Sequence, residues 1–235
     1  MTSFGDSLQL ALGLIFTGDA DLWAIVLLSL KVSLSAVVIA GILGMPFGAF
    51  LAVTRFKGRG ALIVFVNALM GLPPVVVGLA VYLMLSASGP FGVLQLLYTP
   101  AAMIIAQVVL VFPIVTALSR QVVEELYGEY REHLTSLGVQ GVRAIPTLLW
   151  DGRFGLATAL LAGVGRAIAE VGAVMIVGGN INHVTRVMTT TIALETSKGD
   201  LGMALALGVV LIVLAIAINA MISMATRSSA RYAYA

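Results

Sequence analysis

Residues 22–53 read LWAIVLLSLKVSLSAVVIAGILGMPFGAFLAV, and Lys31 is the only charged residue among them. A helix needs about 20 consecutive apolar residues to cross the hydrocarbon core of a bilayer. This stretch is longer, so we expect a membrane-spanning helix that is tilted, or bent near Pro46 and the glycines around it. Such a segment predicts an integral membrane protein.

Four further stretches are long and apolar enough to cross a membrane: residues 61–86, 100–118, 154–177 and 201–225. Pro73 and Pro74 interrupt the first of these, so a cavity or a neighbouring helix must satisfy the backbone groups they free. Residues 7–16 are apolar but too short to span, and we expect them to lie at the membrane surface. The sequence predicts an all-α integral membrane fold with about five transmembrane helices.

The composition agrees with this prediction. Of the 235 residues, 60% are hydrophobic and 10% are charged, whereas a soluble domain carries about 25% charged residues. The basic residues are scattered, without the basic and aromatic surface that binds nucleic acid. The chain has no cysteine, and His133 and His183 lie far apart without acidic neighbours at ligand spacing, so we expect no metal site.

Lysine and arginine are distributed unevenly between the two sets of alternate loops. One set has Arg55, Lys57, Arg59, Arg120, Arg131, Arg143, Arg153, Arg227 and Arg231; the other has Arg186 and Lys198. Basic loops remain in the cytoplasm, so we expect a cell-membrane protein with its N-terminus outside and its C-terminus inside. Lys31 is expected to extend to the outer membrane interface.

The loop after the third stretch contains a predicted amphipathic helix over residues 121–137. Leu126, Tyr130, Leu134 and Leu137 recur at helical spacing. Gly138 follows, where glycine often ends a helix in a left-handed conformation. A second short helical piece is expected at about residues 140–150. The segment can lie on the membrane surface, or it can dock into the groove of a cytoplasmic partner.

Four motifs resemble one family of transporters. EHLTSLG at residues 132–138 resembles the E-A-A-x-x-x-G loop of permease subunits of ATP-binding-cassette (ABC) importers, although histidine and leucine replace the two alanines. GVGRAIAEVGA at 163–173 resembles the fourth-span signature of molybdate, tungstate and sulfate permeases. LPPVVVG at 72–78 is similar to a second-span motif of this group. TTTIALETSKGD at 189–200 is most similar to the tungstate branch.

The resemblance implies a type I ABC importer transmembrane domain over residues 22–226, with its coupling loop at about 120–153. Residues 1–21 are then an outer or interfacial segment, and residues 227–235 a cytoplasmic tail. The expected function is import of an oxyanion, with tungstate preferred over molybdate and then sulfate. The implied partners are a second copy of the chain, a dimer of ATPase subunits and an extracytoplasmic oxyanion-binding protein.

The sequence contains no G-x-x-x-x-G-K-[ST] loop that could cradle ATP phosphates. ATP and Mg are therefore expected on the partner ATPase, and neither a cofactor nor a catalytic site is expected in this chain. The resemblance implies that the inner loop couples to that ATPase. The candidate coupling residues are Arg131, Glu132, His133, Leu134, Thr135 and Gly138.

Arg166 and Glu170 lie four positions apart in the fourth stretch, hence on one face of a continuous helix. A lone charge at the bilayer centre costs about 2.5–3.5 kcal/mol, so we expect the two to pair inside the protein. The pair can be a structural clamp between spans or an electrostatic element that lines an anion path.

Further polar groups and helix breaks form a candidate translocation path. Its members are Pro73, Pro74, Asn67, Thr189, Thr190, Thr191 and Asn180. Hydroxyl groups suit a hydrated oxyanion because they donate hydrogen bonds without holding it firmly. An ordinary loop is the alternative for the threonines, and helix–helix hydrogen bonding is the alternative for the asparagines.

Two other classes of function compete with the ABC permease. An intramembrane enzyme needs a nucleophile and a base, or a pair of metal ions, at membrane depth. This class is disfavoured because no histidine and no aspartate lies within a predicted span. An ATP-independent secondary transporter or channel for anions is the alternative, although we find no internal repeat of the kind such folds often show. Transport by the chain without an ATPase would distinguish this ATP-independent transporter or channel from an ABC permease.

Overall fold

The computed structural model describes the backbone of residues 4–232 and the side chains of residues 5–221, 223 and 224. Within these residues the chain is helical and has no strand, which confirms the predicted all-α fold. The first three residues of the predicted N-terminal segment and residues 233–235 of the predicted tail lie outside the described residues. The helices are α1 (Phe4–Thr17), α2 (Ala20–Val53), α3 (Arg59–Met70), α4 (Pro74–Leu85), α5 (Pro100–Ser136), α6 (Ile145–Asp151), α7 (Arg153–Ile168), α8 (Gly172–Gly178), α9 (Met188–Lys198) and α10 (Leu201–Tyr232), with 3-10 turns at Gly92–Leu94 and Gly141–Ala144.

Three of these helices, α2, α5 and α10, are long and apolar enough to cross a membrane alone. Two pairs of helices, α3 with α4 and α7 with α8, are each long and apolar enough to cross a membrane when the two helices are taken together as one bent span. The described residues therefore contain up to five spans. The break between α3 and α4 lies where the sequence predicts it. Pro74 begins α4, at a position where its missing N–H is not needed.

The third predicted span and the predicted amphipathic helix after it form one helix, α5, which runs for 37 residues from Pro100 to Ser136 with Pro113 inside it. The break expected between residues 118 and 121 is absent, so the prediction of two separate helices is wrong. Neither glycine nor proline occurs between residues 114 and 127, so nothing in that stretch stops the helix. Gly128 also lies within α5. The predicted second piece is confirmed as the Gly141–Ala144 turn followed by α6.

The predicted loop at residues 178–200 also contains an unexpected helix, α9. Its first turns are buried, although three consecutive threonines have poor helix propensity. The hydroxyls of Thr190 and Thr191 both donate to the carbonyl oxygen of Val187, at 3.0 and 2.7 Å. Tertiary packing and these hydrogen bonds outweigh the local preference of the sequence for a loop.

The chain divides into two compact units. The first comprises Met1–Ala36, Pro73–Gln107 and Ala167–Ala217. In this unit α4 and α8 approach closely at Gly78, and Tyr98 N donates to Val177 O at 3.0 Å. The ring of Tyr98 lies edge-on to that of Tyr82 at 6.4 Å between centroids. A hydrogen bond to Tyr82 and repulsion between the two hydroxyls raise the pKa of Tyr98 above its usual value of 10.0, so its hydroxyl is neutral near pH 7.

The second unit comprises Val37–Leu72, Val108–Arg166 and Ile218–Ala235. Here α2 packs against α5 through small residues: an added Cβ at Gly48 would lie 2.5 Å from Thr116 O. Gly163 of α7 likewise meets the side chain of Val111 on α5. Small residues at such contacts permit close helix packing in lipid, where apolar burial alone gives little attraction.

Candidate functional site

The C-terminal end of α5 is held by a hydrophobic cluster in the second unit. Leu134 is 7% exposed and packs with residues from α2, α5 and α6. The buried members are Ala49, Ala52, Val53, Val123, Leu134, Ala144 and Leu148. Of the four predicted apolar positions, Leu126, Tyr130 and Leu134 belong to this cluster, whereas Leu137 is 65% exposed. The helix ends at Ser136, so Leu137 no longer follows the helical face.

Gly138 forms the turn that follows α5, with φ +75 as predicted for a left-handed glycine. Its N–H donates to Thr135 O at 3.0 Å, and Val139 N–H donates to Leu134 O at 2.8 Å. This pair of bonds is the Schellman motif, which satisfies carbonyl groups left over at a helix end. The motif fixes the direction in which the chain leaves α5.

The other candidate coupling residues surround this turn on the protein surface. Arg131, Glu132, His133 and Thr135 are exposed. Leu134 is the exception, because it is buried and therefore anchors the segment rather than presenting it. The structure thus brings the candidate coupling residues together in one helix end and turn that packs on a hydrophobic base. We call this segment, residues 131–138, the inner turn, after its predicted orientation.

A charge cluster connects the start of α3 to the middle of α5. Arg59 Nη2 contacts Glu124 Oε1 at 2.8 Å, and Arg120 also pairs with Glu124. Arg59 Nε donates to Leu51 O at 2.7 Å, which is one of the last carbonyl groups of α2. This arginine therefore satisfies a helix end and connects it to α5.

The candidate pair Arg166 and Glu170 does not share one helix, because α7 ends at Ile168 and α8 begins at Gly172. The expectation of a continuous helical face is therefore wrong. Glu170 is 3% exposed, and its Oε1 accepts a 3.0 Å hydrogen bond from Ala173 N. It acts as a cap for α8, since a carboxylate is a strong acceptor for the unsatisfied N–H groups of a helix start.

Polar side chains satisfy the backbone around this break. Thr189 Oγ1 donates to Glu170 O at 2.7 Å, and Gln107 Nε2 donates to Ala167 O at 3.0 Å. Ser29 Oγ accepts a 2.7 Å hydrogen bond from Met188 N at the start of α9. These are the partners that a broken helix in a membrane requires. Sequence reasoning missed Gln107 and Ser29, whose only signal is a polar residue within an apolar span.

The same residues line a cavity of about 10 Å³ in the first unit. Its walls include Ser29, Ser33, Gln107, Glu170 and Thr189. Gln107 Oε1 is buried and has no hydrogen-bond partner. The cavity has room for about one water molecule, and it is too small for an oxyanion in this conformation.

The remaining candidate path residues are dispersed. Thr189, Thr190 and Thr191 are buried, and each hydroxyl donates within the chain. The single hydroxyl proton of Thr190 is shared between Val187 O and Asn180 Oδ1, which lies 2.9 Å from Thr190 Oγ1, while Asn180 Nδ2 donates to Thr190 O at 3.4 Å. Pro73 is exposed and Pro74 half-buried at the start of α4, in the same unit. Asn67 is exposed on α3 and belongs to the second unit.

Comparison with known proteins finds full-length relatives. A tungstate uptake system permease protein of Peptoclostridium acidaminophilum is 40% identical over 222 residues, 94% of this chain and 97% of the relative. A probable anion ABC transporter permease protein of Haloferax volcanii is 38% identical over 87% of this chain and 91% of its own length. A tungstate uptake system permease protein of Campylobacter jejuni is 35% identical over 91% and 90%.

Permease proteins of sulfate and molybdenum transport systems match at lower identity, for example 29% with a sulfate permease of Salmonella typhimurium and 29% with a molybdenum permease of Azotobacter vinelandii. No family model matches the chain.

Proposed function

The chain belongs to the oxyanion permease family of ABC importers and is a multi-pass membrane protein, and from this membership we propose that it forms the translocation pathway of a tungstate importer. Molybdate is the second candidate substrate and sulfate the third. The order follows the names of two relatives, at 40% and 35% identity, which specify tungstate, while the relative at 38% is named only for an anion. Tungstate and molybdate are tetrahedral dianions of nearly equal size, so discrimination between them is assigned mainly to the external binding protein.

The observation that carries the proposal is the inner turn. Arg131, Glu132 and His133 are exposed, while Leu134 one position later is buried in a cluster that joins α2, α5 and α6. A force applied to this surface would therefore pass into helices of the second unit. Such an element serves a transporter whose energy source is a separate soluble subunit.

The proposal includes the subunits that this chain needs. The sequence has no phosphate-cradling loop of its own, so ATP and Mg are bound and hydrolysed by a dimer of partner ATPases. Two copies of the chain form the pathway, and an extracytoplasmic binding protein delivers the oxyanion. The inner turn faces the cytoplasm, with the N-terminus outside.

The pathway itself is proposed to involve Pro73, Pro74, Asn67, Asn180 and the threonines of α9. The hydroxyl of Thr189 donates to Glu170 O, so it can reach an anion only after the break between α7 and α8 rearranges, and the hydroxyl of Thr190 must first give up its bonds to Val187 and Asn180. The expected role of Arg166 and Glu170 is to hold that break, and the buried cap that Glu170 makes on α8 supports it.

Reconstitution tests the proposal. The chain is incorporated into proteoliposomes with and without its ATPase, and with binding protein loaded with tungstate, molybdate or sulfate. We expect ATP-dependent uptake, strongest with tungstate, only when all components are present. Uptake down a gradient by the chain alone would instead show an ATP-independent channel or secondary transporter, and would refute the ABC mechanism.

A further inference from the structure

A cavity of about 150 Å³ lies in the first unit, between the start of α2 and the loop that precedes α9. Asp21, Ala24, Ile25 and Leu28 of α2 form one wall, and Asn182, His183 and Arg186 form the other. Both walls belong to segments that the loop charges place on the outer side of the membrane. A cavity that holds one water needs about 10–15 Å³ in the same measure, so this one has room for an anion with four oxygens.

Arg186 is the unusual group in this cavity. It is half-buried, and its Nε atom is buried without a hydrogen-bond partner. Among the described side chains, no carboxylate lies within ion-pair distance of its guanidinium. A buried donor left unpaired is costly and calls for a ligand or an ordered water. Arg120 Nε is likewise buried without a hydrogen-bond partner, but the guanidinium groups of Arg120 and Arg59 both pair with Glu124.

The other polar groups of the cavity fit an anion that binds and leaves again. Asn182 can donate through its side-chain amide, and His183 can donate through a ring N–H. Asp21 Oδ1 lies 4.0 Å from His183 Nδ1 and is largely exposed. Its negative charge weakens the attraction for a dianion without removing it, since Arg186 has no carboxylate of its own. A transport site must bind strongly enough to admit its substrate and weakly enough to release it.

We propose that this cavity, which we call the Arg186 site, is the first binding site for the tetrahedral oxyanion after the external binding protein releases it. The inference rests on the proposed function and on the proposed orientation. The guanidinium donates to two oxygens of the dianion through its planar fork, a geometry that arginine offers and lysine does not. Asn182 and His183 donate to the remaining oxygens. The cavity near Gln107 cannot serve this purpose, because it holds about one water.

The absence of cysteine from the chain permits a direct test. Ala24→Cys places a single thiol in the cavity wall without removing a proposed ligand, and Val93→Cys places one at a position that is 92% exposed on the same predicted side of the membrane. Intact cells or right-side-out vesicles are treated with membrane-impermeant anionic and cationic thiol reagents. The anionic reagent should react faster than the cationic one at residue 24 only, and tungstate should slow that reaction.

Arg186→Gln in the Ala24→Cys background should raise the tungstate concentration that half-protects residue 24 by at least about tenfold, the change expected for a lost charge-assisted hydrogen bond. The half-protecting concentration in Arg186→Lys should lie between those of the arginine protein and Arg186→Gln, because lysine keeps the positive charge but lacks the planar pair of N–H donors. Asp21→Asn should lower the half-protecting concentration, since it removes the opposing charge. Lys198→Gln is the matched control, since it removes a basic charge from the same predicted loop outside the cavity.

Uptake in the reconstituted transporter completes the test. Arg186→Gln should lower tungstate uptake at limiting loaded binding protein, while Lys198→Gln leaves it unchanged. If Arg186→Gln changes neither the protection of the thiol by tungstate nor tungstate uptake, the Arg186 site is refuted, but the proposed importer function is not. If tungstate protects the cavity thiol but the transporter without substitutions shows no tungstate uptake, the Arg186 site is supported and the proposed importer function is refuted. Weaker docking of the empty binding protein to Arg186→Gln, with tungstate protection intact, would assign Arg186 to a protein contact and overturn the inference.

Discussion

A Cβ atom added at Gly78 would lie 2.8 Å from the Cα atom of Ala173 and 3.2 Å from its carbonyl oxygen. Helices α4 and α8 therefore meet backbone to backbone. Both belong to broken spans, and each is short. Close contact of this kind is how helices gain attraction in lipid, where apolar side chains gain little by burial against each other.

The contact predicts the effect of Gly78→Ala. The added methyl group would meet backbone atoms that cannot move aside, and overpacking of this kind costs about 1–3 kcal/mol. The better helix propensity of alanine offsets about 1 kcal/mol of that cost at most. We expect a lower midpoint of thermal unfolding in detergent. Gly208→Ala is the control, since an added Cβ there meets nothing within 4 Å, and it should be neutral or stabilising.

Thr190 and Thr191 are adjacent residues whose hydroxyl groups have different hydrogen-bond partners. Both hydroxyls reach the carbonyl oxygen of Val187, but Thr190 Oγ1 also accepts from Val187 N at 3.2 Å and contacts Asn180 Oδ1, whereas Thr191 Oγ1 has no further partner among the described residues. Thr190→Val leaves buried polar groups unpaired, so we expect it to lower the free energy of unfolding by about 1–3 kcal/mol. Thr191→Val should cost less than about 1 kcal/mol. Equal losses in chemical unfolding would contradict this assignment of the two hydroxyls.

Arg59 contacts both a helix end and a charge on α5. Its ion pair with Glu124 is partly exposed and should contribute less than about 1 kcal/mol, so the bond to Leu51 O accounts for most of its effect. We expect Arg59→Ala to destabilise the protein by about 1–2 kcal/mol, and Glu124→Gln by clearly less. Arg55→Ala, at an exposed arginine close by, is the control. Added salt should reduce the effect of Glu124→Gln but preserve most of that of Arg59→Ala.

The distribution of basic residues predicts which loops face the cytoplasm. Residue 92 lies in a loop without lysine or arginine, and Ser136 ends α5 within a loop that has four arginines. Reporter fusions at Gly92 and Ser136 should therefore be active on opposite sides of the membrane, outside and inside respectively. Fusions that report the same side would overturn the proposed orientation, and with it the outer location of the Arg186 site.

Much of the fold could be predicted because the bilayer restricts a chain to few solutions. Apolar length alone identifies α2 and α10, and Pro73 with Pro74 identifies a break, since proline lacks the N–H that a continuous helix needs. Gly138 could be predicted as a left-handed turn because glycine adopts positive φ without strain. These signals are local, so they can be read without knowing which helices pack together.

The polar core of the first unit could not be predicted, because it depends on contacts between residues that are distant in sequence. Ser29 accepts from Met188 N, 159 positions along the chain, and Gln107 donates to Ala167 O, 60 positions along. A polar residue in an apolar span indicates that it has a buried hydrogen-bond partner, but the sequence does not show which residue that partner is. The helix α9 was missed for the same reason, since its threonines favour a loop until packing and the bonds to Val187 are present.

The last prediction concerns Gly138, whose φ of +75 places it where an L side chain is strained. Valine there should cost about 1–2 kcal/mol in backbone conformation, without any clash, because an added Cβ meets nothing within 4 Å. Since about 1.4 kcal/mol is tenfold in an equilibrium constant, Gly138→Val should displace the inner turn and lower ATP-driven tungstate uptake by roughly tenfold while ATP hydrolysis and membrane insertion persist. Gly138→Asn should retain more uptake, because asparagine tolerates the left-handed region. Gly128→Ala, within α5 and equally free of neighbours, should behave as the unmodified chain. Normal uptake by Gly138→Val would show that the ATPase does not act through this turn.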